Sequence, residues 1–182
     1  MAVIVLVGRM ASGKTTLKNE ILKDSPKIKP IITYTTRPMR DGEYDGVDYH
    51  FISNDTFNAM KRRKEFLETT EYNADFGYCQ YGSRKEDYYG PGLKVVVLNP
   101  FGAKAVREDP KIESRIIWLD PDEEVLMKRA LERGDKPEEI NRRFITDESD
   151  FLKFKYWGIW DIHYTDNSTK RCLKYIKDSL VW

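Results

Sequence analysis

Gly8-Arg9-Met10-Ala11-Ser12-Gly13-Lys14-Thr15 is the stretch around which the rest of the chain can be read. It fits G-x-x-x-x-G-K-[ST] at every fixed position, the spacing of a phosphate-binding loop. Both flanks agree with that reading. Val3-Ile4-Val5-Leu6-Val7 before it is a β-branched apolar run of the kind that forms a buried parallel strand. Thr16 to Lys23 after it carries Leu17 and Ile21 four apart, on one face of a helix. In this order of strand, glycine loop and helix, backbone N–H groups wrap a phosphate chain and the helix N-terminus adds partial positive charge. Gly8 and Gly13 permit backbone angles and close approach that a side chain would obstruct. The run Gly8, Arg9, Met10, Ala11, Ser12, Gly13, Lys14, Thr15 and Thr16 is therefore expected to hold a nucleoside triphosphate. Lys14, an exposed cation at the loop tip, bridges the β- and γ-phosphates in this reading, and the Thr15 hydroxyl joins the Mg²⁺ shell.

Composition sets the outer bounds. A chain of 182 residues suits one domain with insertions. It has no apolar run approaching the ~18 residues of a membrane span, and the first strand starts so early that no signal peptide is expected. Cys79 and Cys172 lie far apart with no metal or redox spacing, which predicts free thiols in a reducing cytosol and a cytoplasmic protein. His50 and His163 are isolated, which speaks against a His-based zinc site. A net charge of +1 gives no global pull toward nucleic acid.

Downstream, Asp24-Ser25-Pro26 ends the first helix. Ile28 to Tyr34 reads as a second strand, and Thr35 to Tyr49 as a long ordered loop of a length usually reserved for function. Ser53 or Asp55 can cap a short helix carrying Phe57 and Met60. Lys61-Arg62-Arg63-Lys64 suits a helix C-terminus. Phe66 to Tyr72 is a further strand. Phe76, Tyr78, Tyr81 and Tyr88 then either line a surface for a flat ligand or pack a small core. Lys94 to Leu98 and Arg115 to Leu119 read as buried parallel strands, with a helix through Ala103 to Arg107 between them. Helices follow from Pro121 to Arg133 and from Pro137 onward, then a strand over Ile159 to Tyr164. A last helix, near Ser168 to Val181, buries Cys172, Leu173, Ile176 and Leu180. Strands alternating with helices describe a parallel α/β sheet, interrupted by an insertion over residues ~34–92.

That insertion carries a resemblance. Thr35-Thr36-Arg37-Pro38-Met39-Arg40-Asp41-Gly42-Glu43 with Asp45-Gly46-Val47-Asp48-Tyr49-His50-Phe51 resembles the guanylate kinase pattern T-T-R-x-x-R-x-G-E-x-x-G-x-D-Y-x-F. The likeness continues in Glu65-Phe66-Leu67-Glu68 and Tyr81-Gly82-Ser83 and spans nearly the whole chain. It implies a P-loop NTPase-type parallel sheet flanked by helices, with an inserted nucleoside monophosphate-binding subdomain and a helical lid. The single domain 1–182 then divides into a core (about 1–33 and 93–182), an insertion (about 34–92) and a lid (about 128–145). It also implies transfer of the ATP γ-phosphoryl group to GMP or dGMP. Arg37 and Arg40 would grip the monophosphate, Tyr49 and Tyr81 would donate to it, and Glu43 would orient the arginines. Glu68 would accept from guanine N1–H and N2–H₂, with Ser83 and Thr33 contacting the base more weakly. Arg133 and Arg143 would swing onto the transferring group with Arg129 assisting, while Arg142 and Lys128 read as charged faces of exposed helices.

The chain departs from the pattern where the family strand ends D-I-D-x-Q-G or E-I-D-x-Q-G. Here the stretch is Val97-Leu98-Asn99-Pro100-Phe101-Gly102, so both acids are absent and Asn99 stands at a substrate-binding position. Loss of that charge predicts that Asn99→Asp raises activity. A same-fold kinase of shifted base preference and a non-catalytic binding module are the alternatives. Retention of Lys14, Thr15 and the lid arginines weighs against the module.

Overall fold

The first strand, β1 (Ala2–Gly8), is sealed on both faces: Val3, Ile4, Val5, Leu6 and Val7 are all 0% exposed. A strand with no polar face belongs in the middle of a parallel sheet covered on both sides. The computed structural model describes residues 2–74 and 77–179, so Phe76, Leu180 and Val181 lie outside the described residues. After β1 come α1 (Lys14–Asp24), β2 (Lys29–Pro30), β3 (Tyr34–Thr35), β4 (His50–Phe51) and α2 (Asn54–Arg62). Next are β5 (Phe66–Ala74), β6 (Gly77–Arg84), α3 (Lys85–Tyr88), β7 (Lys94–Val97), α4 (Pro100–Glu108) and β8 (Glu113–Leu119). The chain continues through α5 (Glu123–Glu132), α6 (Pro137–Trp157), β9 (Ile162–Tyr164) and α7 (Thr169–Ser179).

Five strands form a parallel sheet in the order β2-β7-β1-β8-β9. Alternation along β1 sends Val3, Val5 and Val7 into one core with Ala103 and Val106 of α4 and Phe151 and Phe154 of α6. Ile4 and Leu6 face the other core, with Leu17 and Ile21 of α1 and Cys172 and Ile176 of α7. Each such side chain contributes roughly 1.5–3 kcal/mol on burial.

The second sheet, β4-β3-β6-β5, occupies the insertion. β5 and β6 form a long antiparallel hairpin with Glu68 opposite Ser83, Thr70 opposite Tyr81 and Tyr72 opposite Cys79. Ser53 caps α2 through Thr56 N–H, and Phe57 and Met60 pack on Phe66. Of the aromatics in this region, Tyr88 is buried and Tyr78 is exposed.

Three elements differ from the sequence reading. The strand expected over Ile28–Tyr34 is split, with Lys29–Pro30 pairing in the large sheet and Tyr34–Thr35 in the small one. Lys29 and Ile31 donate to Leu93 O and Val95 O with Pro30 between them on the open edge, and the segment then crosses between the sheets. The helix expected from Pro121 starts at Glu123, with Asp122 in the capping position. The last strand is shorter than Ile159–Tyr164 because Ile159 O is taken by Arg107. Leu173 in the final helix is only partly buried.

Candidate nucleotide-binding site

The loop between β1 and α1 is built by two different uses of glycine. A Cβ at Gly8 would stand 2.5 Å from both Leu119 O and Ser12 Oγ, so nothing larger fits. Gly13 has room for a Cβ but sits at φ +94, the left-handed region. Ala11 adopts φ 55 without being glycine, a strained angle of the sort concentrated at ligand-holding loops. Lys14 is folded into the loop rather than standing exposed at its tip, as the sequence had suggested. Its Nζ donates to Gly8 O and Arg9 O, both at 2.7 Å. Burial pulls its pKa down to about 8, with Asp147 working against that fall and Arg133 and Arg143 adding to it.

Two cavities meet at this lysine. Met10, Lys14, Thr33, Tyr49, Val97 and Arg143 line both. The larger runs between hairpin, sheet and α6, with Glu68, Tyr81 and Asn99 on its walls, and holds about 1130 Å³ of free space open to solvent. The smaller, more polar one takes in Ala11, Thr15, Arg37, Arg40, Glu43 and Arg133.

Arg37 is held from several sides. Its side chain is 3% exposed, and Nη1 and Nη2 donate to the two Glu43 carboxylate oxygens at 2.6 and 2.5 Å. The guanidinium also lies over Tyr49, 5.0 Å from its ring centroid. Burial works against its charge, yet Glu43 outweighs burial and keeps the pKa above the ordinary arginine value. Glu43 also accepts the Arg40 backbone N–H at 2.9 Å, while the Arg40 side chain stays exposed at the cavity edge. Glu43 thus orients Arg37 through its guanidinium and Arg40 only through its backbone.

Glu68 stands on the wall of the larger cavity. Tyr88 donates to Ser83 Oγ at 2.8 Å, and Ser83 donates to Glu68 Oε1 at 2.7 Å. Burial pushes the Glu68 carboxyl up to about 7, with the Ser83 hydrogen bond opposing. Ser83 itself is 0% exposed and lines neither cavity; its hydroxyl faces Glu68, not the open space where the expected base contact would be made.

Of the other expected residues, Arg9, Ser12, Thr16 and Arg129 lie outside the cavity walls, whereas Arg133 and Arg143 stand on them. Arg9 turns away to Glu123 and Asp120. Arg129 donates to Asn167 O at 2.5 Å near Gly13. Ser12 is buried within the loop, and Thr16 is exposed on α1. Arg133 is paired with Asp135, and Arg143 with Glu139 at 2.6 Å. Lys128 is exposed as expected, but Arg142 lines the larger cavity, since α6 turns that face inward. The same face adds Thr146, Asp147, Asp150 and Phe151, none of them singled out from sequence; their i, i+4 spacing with Arg142 and Arg143 is the available signal. Thr70 is likewise absent from the sequence reading, and Tyr72 enters it only as the end of a strand and the start of the aromatic stretch, although both follow Glu68 at the period of two of a strand.

The residues present fit a magnesium ion through Thr15, whose hydroxyl-bearing side chain belongs to the smaller cavity beside Lys14, Arg37 and Arg40. Mg²⁺ is ordinarily held by few protein ligands, keeping waters and substrate phosphate oxygens for the rest.

A parallel sheet whose first strand runs through a glycine loop into a helix, with basic side chains around the loop mouth, defines a P-loop nucleotide-binding protein. Comparison with known proteins then gives the family: the guanylate kinase model matches residues 1–181, and the chain belongs to the guanylate kinase family. It is 35% identical over 145 residues to the guanylate kinase of Symbiobacterium thermophilum, covering 77% of this chain and 67% of that one. It is 36% identical over 146 residues to that of Clostridioides difficile, covering 78% and 69%. The crystal structure of guanylate kinase from Anaplasma phagocytophilum superposes with TM-score 0.70 at 21% identity, over 98% of this chain and 83% of that one, and confirms the fold.

Proposed function

We propose that the protein transfers the γ-phosphoryl group of ATP to GMP or dGMP, giving ADP and the diphosphate. The carrying observation is the junction of the two cavities at Lys14, with a guanidinium cluster on one side and a half-buried carboxylate on the wall of the other. A monophosphate with its base against Glu68 would bring its phosphate to Tyr49, Arg37 and Arg40. The Gly8–Thr16 loop would hold the ATP phosphates, with Lys14 leaving its carbonyl partners for them. A phosphate oxygen of the acceptor then bonds to the γ-phosphorus as the bond from that phosphorus to the β,γ-bridging oxygen breaks, and ADP departs with the electron pair. This chemistry needs positioning and charge neutralisation rather than a covalent protein group. Bound Mg²⁺ would neutralise charge on the phosphates, with Thr15 as its protein ligand. Arg133 and Arg143 would exchange Asp135 and Glu139 for the transferring group, with Arg129 supporting the loop. Thr33, on both cavity walls, would stand between base and phosphate.

The domain division follows the same reading: core about 1–33 and 93–182, insertion about 34–92 and lid about 128–145. α6 runs from that lid segment into the core without a break, so closing would move its N-terminal part against a fixed end. Two buried free thiols suit a reducing cytoplasm. No helix among the described residues is long and apolar enough to cross a membrane. The test is a coupled ADP-release assay across GMP, dGMP, AMP, CMP and UMP. GMP or dGMP should be used best; equal or better use of another base would transfer support to the kinase of shifted preference.

A further inference from the structure

Glu68, Thr70 and Tyr72 lie two apart along β5, and all three line the larger cavity. Asn99 ties the last two together. Its Oδ1 accepts Gly102 N–H at 2.8 Å as the N-cap of α4, which settles which end of the amide is oxygen. The nitrogen therefore donates to Thr70 Oγ1 at 2.7 Å and to Tyr72 OH at 2.9 Å. Both amide hydrogens are taken up, and both hydroxyl oxygens are drawn to one nitrogen, within a base's width of each other.

The consequence is one of polarity. A hydroxyl that accepts a hydrogen bond keeps its own proton to donate. Among the described residues neither the Thr70 nor the Tyr72 proton has an acceptor. The cavity wall therefore presents, in order along β5, an acceptor at Glu68, a donor at Thr70 and a donor at Tyr72. Guanine presents around its edge the N1–H and N2–H₂ donors, then the O6 acceptor, then the N7 acceptor. The two sequences are complementary at each step.

We propose that Thr70 and Tyr72 are specificity-determining residues that donate to guanine O6 and N7, respectively, with Asn99 fixing their direction. This rests on the reading of a guanine monophosphate as the acceptor substrate. Adenine carries an amino donor where guanine has O6. Thr70 would then face donor to donor, or turn its proton to a place with no acceptor, while Glu68 meets the adenine N1 lone pair. A carboxylate at 99 would reverse the arrangement, because both hydroxyls would donate to it and withdraw their protons from the ligand.

The experiment is a substrate–variant cycle on the full chain with GMP and 7-deaza-GMP, which lacks the N7 acceptor. It is read as kcat/KM with ATP and as equilibrium binding by calorimetry. Tyr72→Phe should lower kcat/KM for GMP about tenfold, as for loss of a neutral hydrogen bond, and cost nothing further on 7-deaza-GMP. Equal losses on both nucleotides would overturn the N7 contact. Thr70→Val should shrink the GMP-to-AMP preference about tenfold, and an unchanged preference would overturn the O6 contact. Asn99→Asp retains the helix cap yet should weaken GMP binding; tighter binding would overturn the polarity argument. Failure of wild-type protein to bind GMP at all would instead remove the substrate reading on which the inference rests.

Discussion

The Asp147 carboxylate accepts the Met10 backbone N–H at 2.8 Å, so the long helix α6 is tied directly to the phosphate loop. Burial raises the pKa of this carboxyl, and the Met10 N–H and Lys14 oppose the rise. The helix that carries the end of the expected lid is thereby fastened, just beyond residue 145, to the loop proposed to receive the nucleotide. Asp147→Ala leaves the Met10 N–H without its partner in a partly buried place and should cost about 1–3 kcal/mol in urea unfolding. Asp147→Asn keeps an accepting oxygen and should recover most of that loss.

Arg37 and Glu43 form the most enclosed ion pair of the site. Removing one member of a buried pair costs about 3–5 kcal/mol, because the other charge stays behind. Glu43→Ala should therefore lower stability by several kcal/mol and raise KM for GMP, since Arg37 loses its orientation. Denaturant unfolding and initial rates at varied GMP check the two parts.

Arg40 gives the contrasting outcome. Its side chain is exposed and its tie to Glu43 runs through the backbone, so Arg40→Ala should leave stability unchanged. Monophosphate use should weaken by roughly 2–5 kcal/mol, the range for truncating one partner of a desolvated charge pair. KM for ATP should hardly move, and titration of each nucleotide separates the two effects.

Much of this was legible in the sequence. The glycine loop with its flanking strand and helix is a local pattern, so spacing alone located it. Arg37, Glu43 and Glu68 came from the resemblance, and the structure places all three on cavity walls. What could not be read depends on which face an element turns inward. Arg142 looks like any surface arginine until α6 is seen to run on into the core. Thr70 and Tyr72 look like ordinary strand residues until Asn99 is seen to hold both. Asn99 itself reads in the sequence as a missing charge, which predicts gain of activity on restoring the acid. Its hydrogen bonds argue the opposite, because they set the direction of two hydroxyls.

Glu68 predicts a pH dependence. Its pKa in the free protein, about 7 against an ordinary 4.5, is raised by burial. The protonated form is the one burial favours, so its contribution to stability is complete below pH 4.5 and is lost as pH rises toward 7. Guanine needs the ionised form as acceptor, so GMP affinity should rise over the same interval, with proton release on binding. Glu68→Gln should flatten both trends and weaken GMP binding sharply. Calorimetry in buffers of different ionisation enthalpy measures the proton directly.

Phosphoryl transfer from ATP to GMP is the central claim, and phosphorus NMR of the reaction mixture tests it most directly. With wild-type protein, ATP, GMP and Mg²⁺, the resonances of ADP and GDP should grow together in equal amounts. Folded Lys14→Ala protein should leave the spectrum unchanged. ADP growing without GDP, or GDP forming as fast with Lys14→Ala as with wild type, would contradict the account.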